Sequence, residues 1–152
     1  MQKKITTFLT FNDQAEEAMN FYTSIFPGSR IVSTTPGPDG KVMTGTFELA
    51  GQEYMALNGG PTFGFAQGFS LYVDCETQDE VDELWEKLCE GGEPGPCGWL
   101  TDRFGVSWQV IPRALPELLS DEDPEKAKRV MEAMLQMSKI EVDGLRAAYE
   151  AA

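Results

Sequence analysis

Residues 69–92 read FSLYVDCETQDEVDELWEKLCEGG, and they restate residues 5–28, ITTFLTFNDQAEEAMNFYTSIFPG. An offset of 64 positions places Ile5 on Phe69, Gln14 on Gln78, Glu16 on Glu80, Phe21 on Trp85 and Gly28 on Gly92. Each stretch opens with a run rich in β-branched and aromatic residues, as strands do. Each then passes through short polar residues able to cap a helix. Apolar residues at three- and four-residue steps come next, until glycine ends the pattern. Strand then helix, written twice in register, is an internal repeat.

Outward from these seeds the two halves stay parallel. In the first, a strand from Lys3 to Phe11 ends in Asn12-Asp13 as a cap. The helix carries Ala15, Ala18, Met19, Tyr22 and Phe26 on one stripe and stops at Pro27-Gly28. Three strands are expected next, Arg30 to Thr35, Lys41 to Ala50 and Glu53 to Leu57, separated by Pro36-Gly37-Pro38-Asp39-Gly40 and by Gly51-Gln52. In the second, strand Phe69 to Cys75 leads through a capping Thr77 to a helix from Gln78 to about Glu90. Extended segments from Glu93 to Thr101, a turn at Asp102-Arg103-Phe104-Gly105 and a strand from Val106 to Ile111 complete it. The segment from Asn58 to Gly68, rich in glycine and phenylalanine, reads as a linker, with a lid over a site as the sharper alternative. After Pro112 helix formers take over. Asp123-Pro124-Glu125 is a helix start, and Val130, Met131, Met134, Leu135 and Met137 form an apolar stripe that packs on the sheet or meets a second chain. A last helix covers Val142 to Tyr149. The expected architecture is α+β, two tandem βαβββ units with C-terminal helices. As one domain of 152 residues it divides into unit one at about 3–58, a linker at 59–68, unit two at about 69–112 and a tail at 113–152.

Composition narrows the partners. With 25 acidic against 12 basic residues the chain carries −13, which repels phosphate backbones and anionic lipid, so neither nucleic acid nor membrane is expected. No apolar run approaches the roughly 20 residues that span a bilayer, and Met1-Gln2-Lys3-Lys4-Ile5-Thr6 lacks the apolar stretch of a secretion signal; the expected location is the cytoplasm. Cys75, Cys89 and Cys97 are odd in number and lack CxxC spacing, against a disulfide framework or zinc knuckle. Histidine is absent, so acid-base work at neutral pH would fall to a carboxylate, thiol, tyrosine or lysine.

Four stretches carry a family resemblance: Phe8-Leu9-Thr10-Phe11, Ala15-Glu16-Glu17-Ala18-Met19-Asn20-Phe21-Tyr22, Met55-Ala56-Leu57-Asn58-Gly59-Gly60-Pro61, and Cys97-Gly98-Trp99-Leu100-Thr101-Asp102-Arg103-Phe104-Gly105-Val106-Ser107-Trp108-Gln109. Together with the doubled βαβββ unit they resemble the PhnB-like branch of the vicinal oxygen chelate superfamily, the glyoxalase and bleomycin-resistance fold. Some members of that branch bear the label 3-demethylubiquinone-9 3-methyltransferase. The likeness is read as running through the tail at Leu119-Ser120-Asp121 to Met137. It implies a cup formed by curved mixed sheets with helices on the convex side, pairing of two chains as a homodimer, and, in metal-using members, ligands from the first and last strands of the units.

Carried over residue by residue, the first-strand ligand position falls on Thr6, or on Thr7 in a gapless alignment. The repeat offset favours Thr6, which it pairs with Ser70. The last-strand position, four residues after the turn glycine, falls on Gln109, and the same count from Gly51 gives Met55 with Asn58 beyond it. A neutral hydroxyl, a thioether and an amide are poor ligands for a hard divalent ion. The expectation is therefore a neutral ligand-binding cup with no metal and no cofactor, built on Thr6, Phe8, Met55, Asn58, Ser70, Tyr72, Trp99 and Gln109. Phe63 and Phe65 are further candidates for its walls, and Trp108, on the opposite face of its strand from Gln109, is assigned to helix packing. Catalysis stays open. The resemblance allows a metal-dependent lyase or dioxygenase, the labelled methyltransferase, or a sequestering protein without turnover. The glycine-rich turn of a βαβ nucleotide site is missing, since Gly59-Gly60 and Gly91-Gly92 fit chain turns.

Overall fold

The computed structural model describes residues 4–151. Lys3, where the first strand was expected to begin, lies outside them. Two compact units, Met1–Gly64 and Phe65–Ala152, divide inside the glycine-phenylalanine segment.

Unit one runs β1 (Thr7–Phe11), α1 (Ala15–Ile25), β2 (Arg30–Pro36), β3 (Val42–Leu49) and β4 (Gln52–Asn58). The strands form one mixed sheet in the order β1-β4-β3-β2, with β1 parallel to β4 and the other pairs antiparallel. Alternation assigns the faces. Leu9 and Phe11 of β1 are 2% and 3% exposed, whereas Phe8 between them is 50% exposed. Thr7 shares the buried face; Thr6, just ahead of the strand, shares that of Phe8. The buried face meets the α1 stripe of Ala15, Ala18, Met19, Tyr22 and Ile25. There Tyr22 stacks on Phe47 at 6.4 Å between ring centroids, and Phe47 stacks on Tyr54 at 5.4 Å, so one aromatic column joins helix, β3 and β4. Such pairs contribute about 0.5–1.5 kcal/mol each beyond the area they bury.

The start of α1 departs from expectation. Gln14 stands at the N-cap without a side-chain cap, and the first free N–H, on Ala15, is taken by Asn58 Oδ1 at 2.8 Å rather than by Asn12 or Asp13. The other arm of that amide, Nδ2, donates to the Val42 carbonyl at 3.2 Å. One side chain from β4 therefore does the work of a local cap and ties α1 to β3 as well.

Unit two repeats the plan as β5 (Ser70–Cys75), α2 (Gln78–Cys89), β6 (Glu93–Pro94), β7 (Trp99–Thr101) and β8 (Ser107–Pro112), in the order β5-β8-β7-β6 and with β5 parallel to β8. Thr77 Oγ1 accepts from Glu80 N–H at 3.2 Å, the cap read in the sequence. The β7–β8 turn is organised by Asp102, which is 3% exposed. Its Oδ1 accepts from the N–H groups of Phe104 at 2.8 Å and Val106 at 3.0 Å, and its Oδ2 from Trp108 Nε1 at 2.8 Å. Trp108 is 2% exposed, on the buried face as expected. A buried carboxylate is tolerable because charge-assisted donors surround it.

Beyond Pro112 come α3 (Ala114–Leu119), α4 (Pro124–Met134) and α5 (Val142–Glu150), the second capped by Asp123 with Pro124 in its first turn. Their core is Leu115, Val130, Ile140 and Leu145 gathered around Ile111 of β8. Met134 and Met137 pack against this cluster, while Met131 and Leu135 are exposed.

Two outcomes are expected. Asp102→Ala leaves three buried donors unpaired, at about 1–3 kcal/mol each, so urea unfolding should register a loss of about 3 kcal/mol or more. Trp108→Phe in that background should cost less than in the wild type, a coupling of about 1–2 kcal/mol; strict additivity would contradict the hydrogen bond. Second, burial, and then the charges of Glu80 and Asp74, push the Cys75 thiol up to about 12 from an ordinary 9.0. A thiol whose folded pKa lies above its unfolded one contributes stability below the unfolded value and loses it as pH rises toward the folded one. Stability should thus fall between about pH 9 and 12, and Cys75→Ala should flatten that slope. At pH 8, iodoacetamide followed by mass spectrometry should modify Cys75 only as fast as the chain unfolds.

Candidate functional site

The open face of each sheet, the one turned away from its βαβ helix, holds seven of the eight positions expected to line the cup. Asn58 is the exception. It lies on the α1 side of β4 with both arms of its amide engaged by backbone, because alternation puts it in phase with Tyr54 and Ala56 rather than with Met55.

On sheet one, Phe8 is in register with Met55, and Met55 with Thr46. Phe8 and Met55 are both exposed. Thr6 donates from Oγ1 to Glu53 Oε2 at 3.4 Å. Glu53 stands in register with Glu48, which is paired to Arg30 at 3.2 Å.

On sheet two, three strands place Tyr72, Gln109 and Trp99 in one cross-strand row, an amide between two aromatic side chains. Gln109 Nε2 donates to Ser70 Oγ at 3.0 Å, and no described residue bonds to Gln109 Oε1. Desolvation, then the charges of Asp74 and Cys75, raise the Tyr72 phenol above its ordinary value, so it is neutral around pH 7. Asp74, a carboxylate that could have served an ion, is held by Arg113 at 2.9 Å.

The tail reaches this same face. Ile111 lies two residues from Gln109 and points the same way, and it is the β8 member of the tail's core. A cleft of about 210 Å³ results, its sheet side made by Tyr72, Trp99, Gln109 and Ile111 and its tail side by Leu115, Leu119 and Met134. Cys97 also borders it from a left-handed backbone conformation, φ 58°. That conformation is held in place: Cys97 N–H donates to the Met137 carbonyl and Gly98 N–H to that of Ser138, both at 2.8 Å, while Ser138 Oγ donates to the Gly95 carbonyl at 2.7 Å. A second anchor lies on α2. Gln78 accepts from Val142 N–H at 2.7 Å and donates to the Ile140 carbonyl at 2.9 Å, and Lys139 pairs with Asp82 at 2.7 Å. That lysine lowers the Asp82 pKa, with Gln78 adding to the effect.

Sequence reasoning did not find the tail's share of the cleft. Leu115 and Leu119 sit at a helical spacing directly after β8, but which surface a short apolar helix covers is a tertiary outcome. Two other clefts differ in character. One of about 690 Å³ in unit one is bordered by Asp13, Glu16, Glu17, Asp39 and Lys41, and one of about 480 Å³ in unit two by Glu93, Thr101 and Ser107.

The donor set does not suit the divalent ion of metal-using superfamily members. Thr6, Met55, Ser70 and Gln109 bring no charge and no imidazole. Among the described residues no three of histidine, cysteine, aspartate or glutamate are grouped so as to hold an ion. Among them also, no helix is long and apolar enough to cross a membrane.

A sequence profile described as 3-demethylubiquinone-9 3-methyltransferase matches residues 3–111. Of solved structures, a PhnB protein from Bacillus cereus, described under the same methyltransferase heading, is 42% identical with a TM-score of 0.67 over 72% of this chain and 99% of its own. A Pseudomonas aeruginosa protein is 23% identical with a TM-score of 0.62, over 73% of this chain and 98% of its own. The fosfomycin resistance protein FosX from Listeria monocytogenes, solved with Mn(II) and sulfate, shares the fold at 17% identity and a TM-score of 0.53, over 71% and 90%. No curated protein matches. The profile match stops at 111, so the helical tail, read in the sequence as part of the resemblance, lies outside it. Over the two sheets and their helices, the chain belongs to the 3-demethylubiquinone-9 3-methyltransferase family, the PhnB-like branch of the vicinal oxygen chelate superfamily.

Proposed function

We propose that the chain binds a small, neutral, partly aromatic molecule on its open sheet faces, and that it does so without a divalent ion. The observation that supports this most is the donor set. Where metal-using relatives of this fold need charged or imidazole ligands, the chain presents Thr6, Met55, Ser70 and Gln109, flanked by Phe8, Tyr72 and Trp99. Neutral hydrogen-bonding groups among apolar and aromatic walls are what ordinary ligand pockets use. With a charge of −13, the partner is a small molecule rather than nucleic acid or a membrane, and the chain works in the cytoplasm. Two copies pair, with the exposed Met131 and Leu135 of α4 as a contact.

Methyl transfer, the activity in the family's description, is the second reading, and the match over residues 3–111 favours it. Binding of a methyl donor separates the two. After dialysis with Mn(II), Zn(II) or Ni(II), elemental analysis should find far less than one ion per chain. S-adenosylmethionine at 1 mM should leave Tm unchanged. A neutral ring compound held at 100 times its Kd should add about 2.7 kcal/mol, or roughly 5–10 °C in Tm for a chain of this size. One firmly bound ion per chain would overturn the metal-free reading, and a shift of several degrees with S-adenosylmethionine would restore the methyltransferase.

A further inference from the structure

The cleft between the second sheet and the helical tail has a feature that the two other clefts described above lack. In a chain of net charge −13, no residue that lines it carries a charge. Its volume, about 210 Å³, is below that of ordinary drug-sized pockets, about 300–1,000 Å³. It exceeds the roughly 150 Å³ that accommodates benzene in an apolar cavity. Tyr72 and Trp99 stand on strands either side of β8, so their backbones are two strand spacings, about 9.5 Å, apart. Gln109 stands in the middle of that row, which leaves the space over its amide, flanked by the two aromatic side chains, for a planar ring. At the midpoint Gln109 offers a carbonyl oxygen with no partner among the described residues and the remaining N–H of an amide already oriented by Ser70.

We propose that the tail converts this end of the open face into a binding site for a neutral single-ring or fused-ring aromatic compound bearing one carboxamide-like group. The ring lies between Tyr72 and Trp99 and against Leu115, Leu119 and Met134, and its polar group pairs with Gln109. Charged analogues are excluded because a carboxylate or ammonium would be desolvated there without a counter-charge. The site depends on residues past 111, outside the family match. The inference rests on the reading that the open faces bind small neutral molecules, and it assigns the second face a ligand class.

The probe is benzamide, added to the full chain labelled at methionine methyl groups and followed by NMR, with benzoate as the charged isostere. Benzamide should shift the Met134 methyl and the Gln109 side-chain amide in a saturable manner, and benzoate should bind at least ten times more weakly. Leu119→Trp, which fills the cleft from the tail side, should weaken benzamide at least ten-fold. Gln109→Leu should weaken it by up to about ten-fold, the worth of one neutral hydrogen bond. Should Leu119→Trp fail to fold, protection of Cys97 from iodoacetamide by benzamide in the wild-type chain provides the same localisation. Benzoate binding as well as benzamide, an unchanged affinity in folded Leu119→Trp, or no Met134 shift at 10 mM benzamide would each overturn the proposal. Shifts confined to the Met55 methyl would overturn it while leaving the broader open-face reading intact. One firmly bound divalent ion per chain would instead remove that broader reading.

Discussion

The position of the second sheet's last strand depends on one buried carboxylate. Asp102 accepts from two backbone N–H groups of its own turn and from the indole of Trp108 on the next strand. The two backbone bonds fix how the chain reverses between β7 and β8. The indole bond, made six residues further on, fixes which face of β8 Trp108 occupies. In a strand that choice decides every other residue, since a slip by one position exchanges the faces. With Trp108 inward, Gln109 and Ile111 turn outward: one becomes the amide between Tyr72 and Trp99, the other the seed of the tail's core. The site and the attachment of the tail are both consequences of that register.

Much of this is legible in the sequence, and for a physical reason. Features that repeat with the period of an element leave a trace in one dimension. The 64-residue offset, the stripe of Ala15, Ala18, Met19 and Tyr22, the caps at Thr77 and Asp123 and the placement of Trp108 opposite Gln109 are all local or periodic. What escaped was non-local. Asn12-Asp13 has the composition of a cap, yet the acceptor that reaches Ala15 N–H comes from Asn58, 43 residues away, because parallel pairing of β1 with β4 brings the end of β4 beside the start of α1. The ambiguity between Thr6 and Thr7 is resolved by alternation once Leu9 and Phe11 are known to be buried. The tail's docking surface had no local signature, since Leu115 and Leu119 are equally suited to packing on either side of a sheet.

The two copies of the repeat have diverged in their capacity to hold anything beyond themselves. Gln14 and Gln78 are equivalent by sequence, but Gln14 is the N-cap of α1 whereas Gln78 is the first residue of α2, behind the Thr77 cap. The Gln14 side chain makes a long contact with Glu17 at 3.5 Å on the surface. Gln78 uses both ends of its amide on the backbone at Ile140 and Val142, and Asp82, one turn further along, takes Lys139. The same residue type is a solvated surface group in one copy and an anchor in the other. The difference lies in the helices beyond β8, not in the repeat itself. The helices beyond β8 give the open face of the second sheet a wall.

That asymmetry bears on how the family's chemistry should be carried to this chain. The description shared with the Bacillus cereus relative refers to the duplicated part, and there the expected ligand positions are neutral. The tail brings Leu115, Leu119 and Met134 to the second face, and none of them carries a charge or offers a ligand suited to a hard divalent ion. Apolar walls alter which molecule stays and for how long; they do not by themselves lower a reaction barrier. The second face thus joins the neutral amide of Gln109 to an apolar wall, with the Tyr72 phenol and the Cys97 thiol at its border.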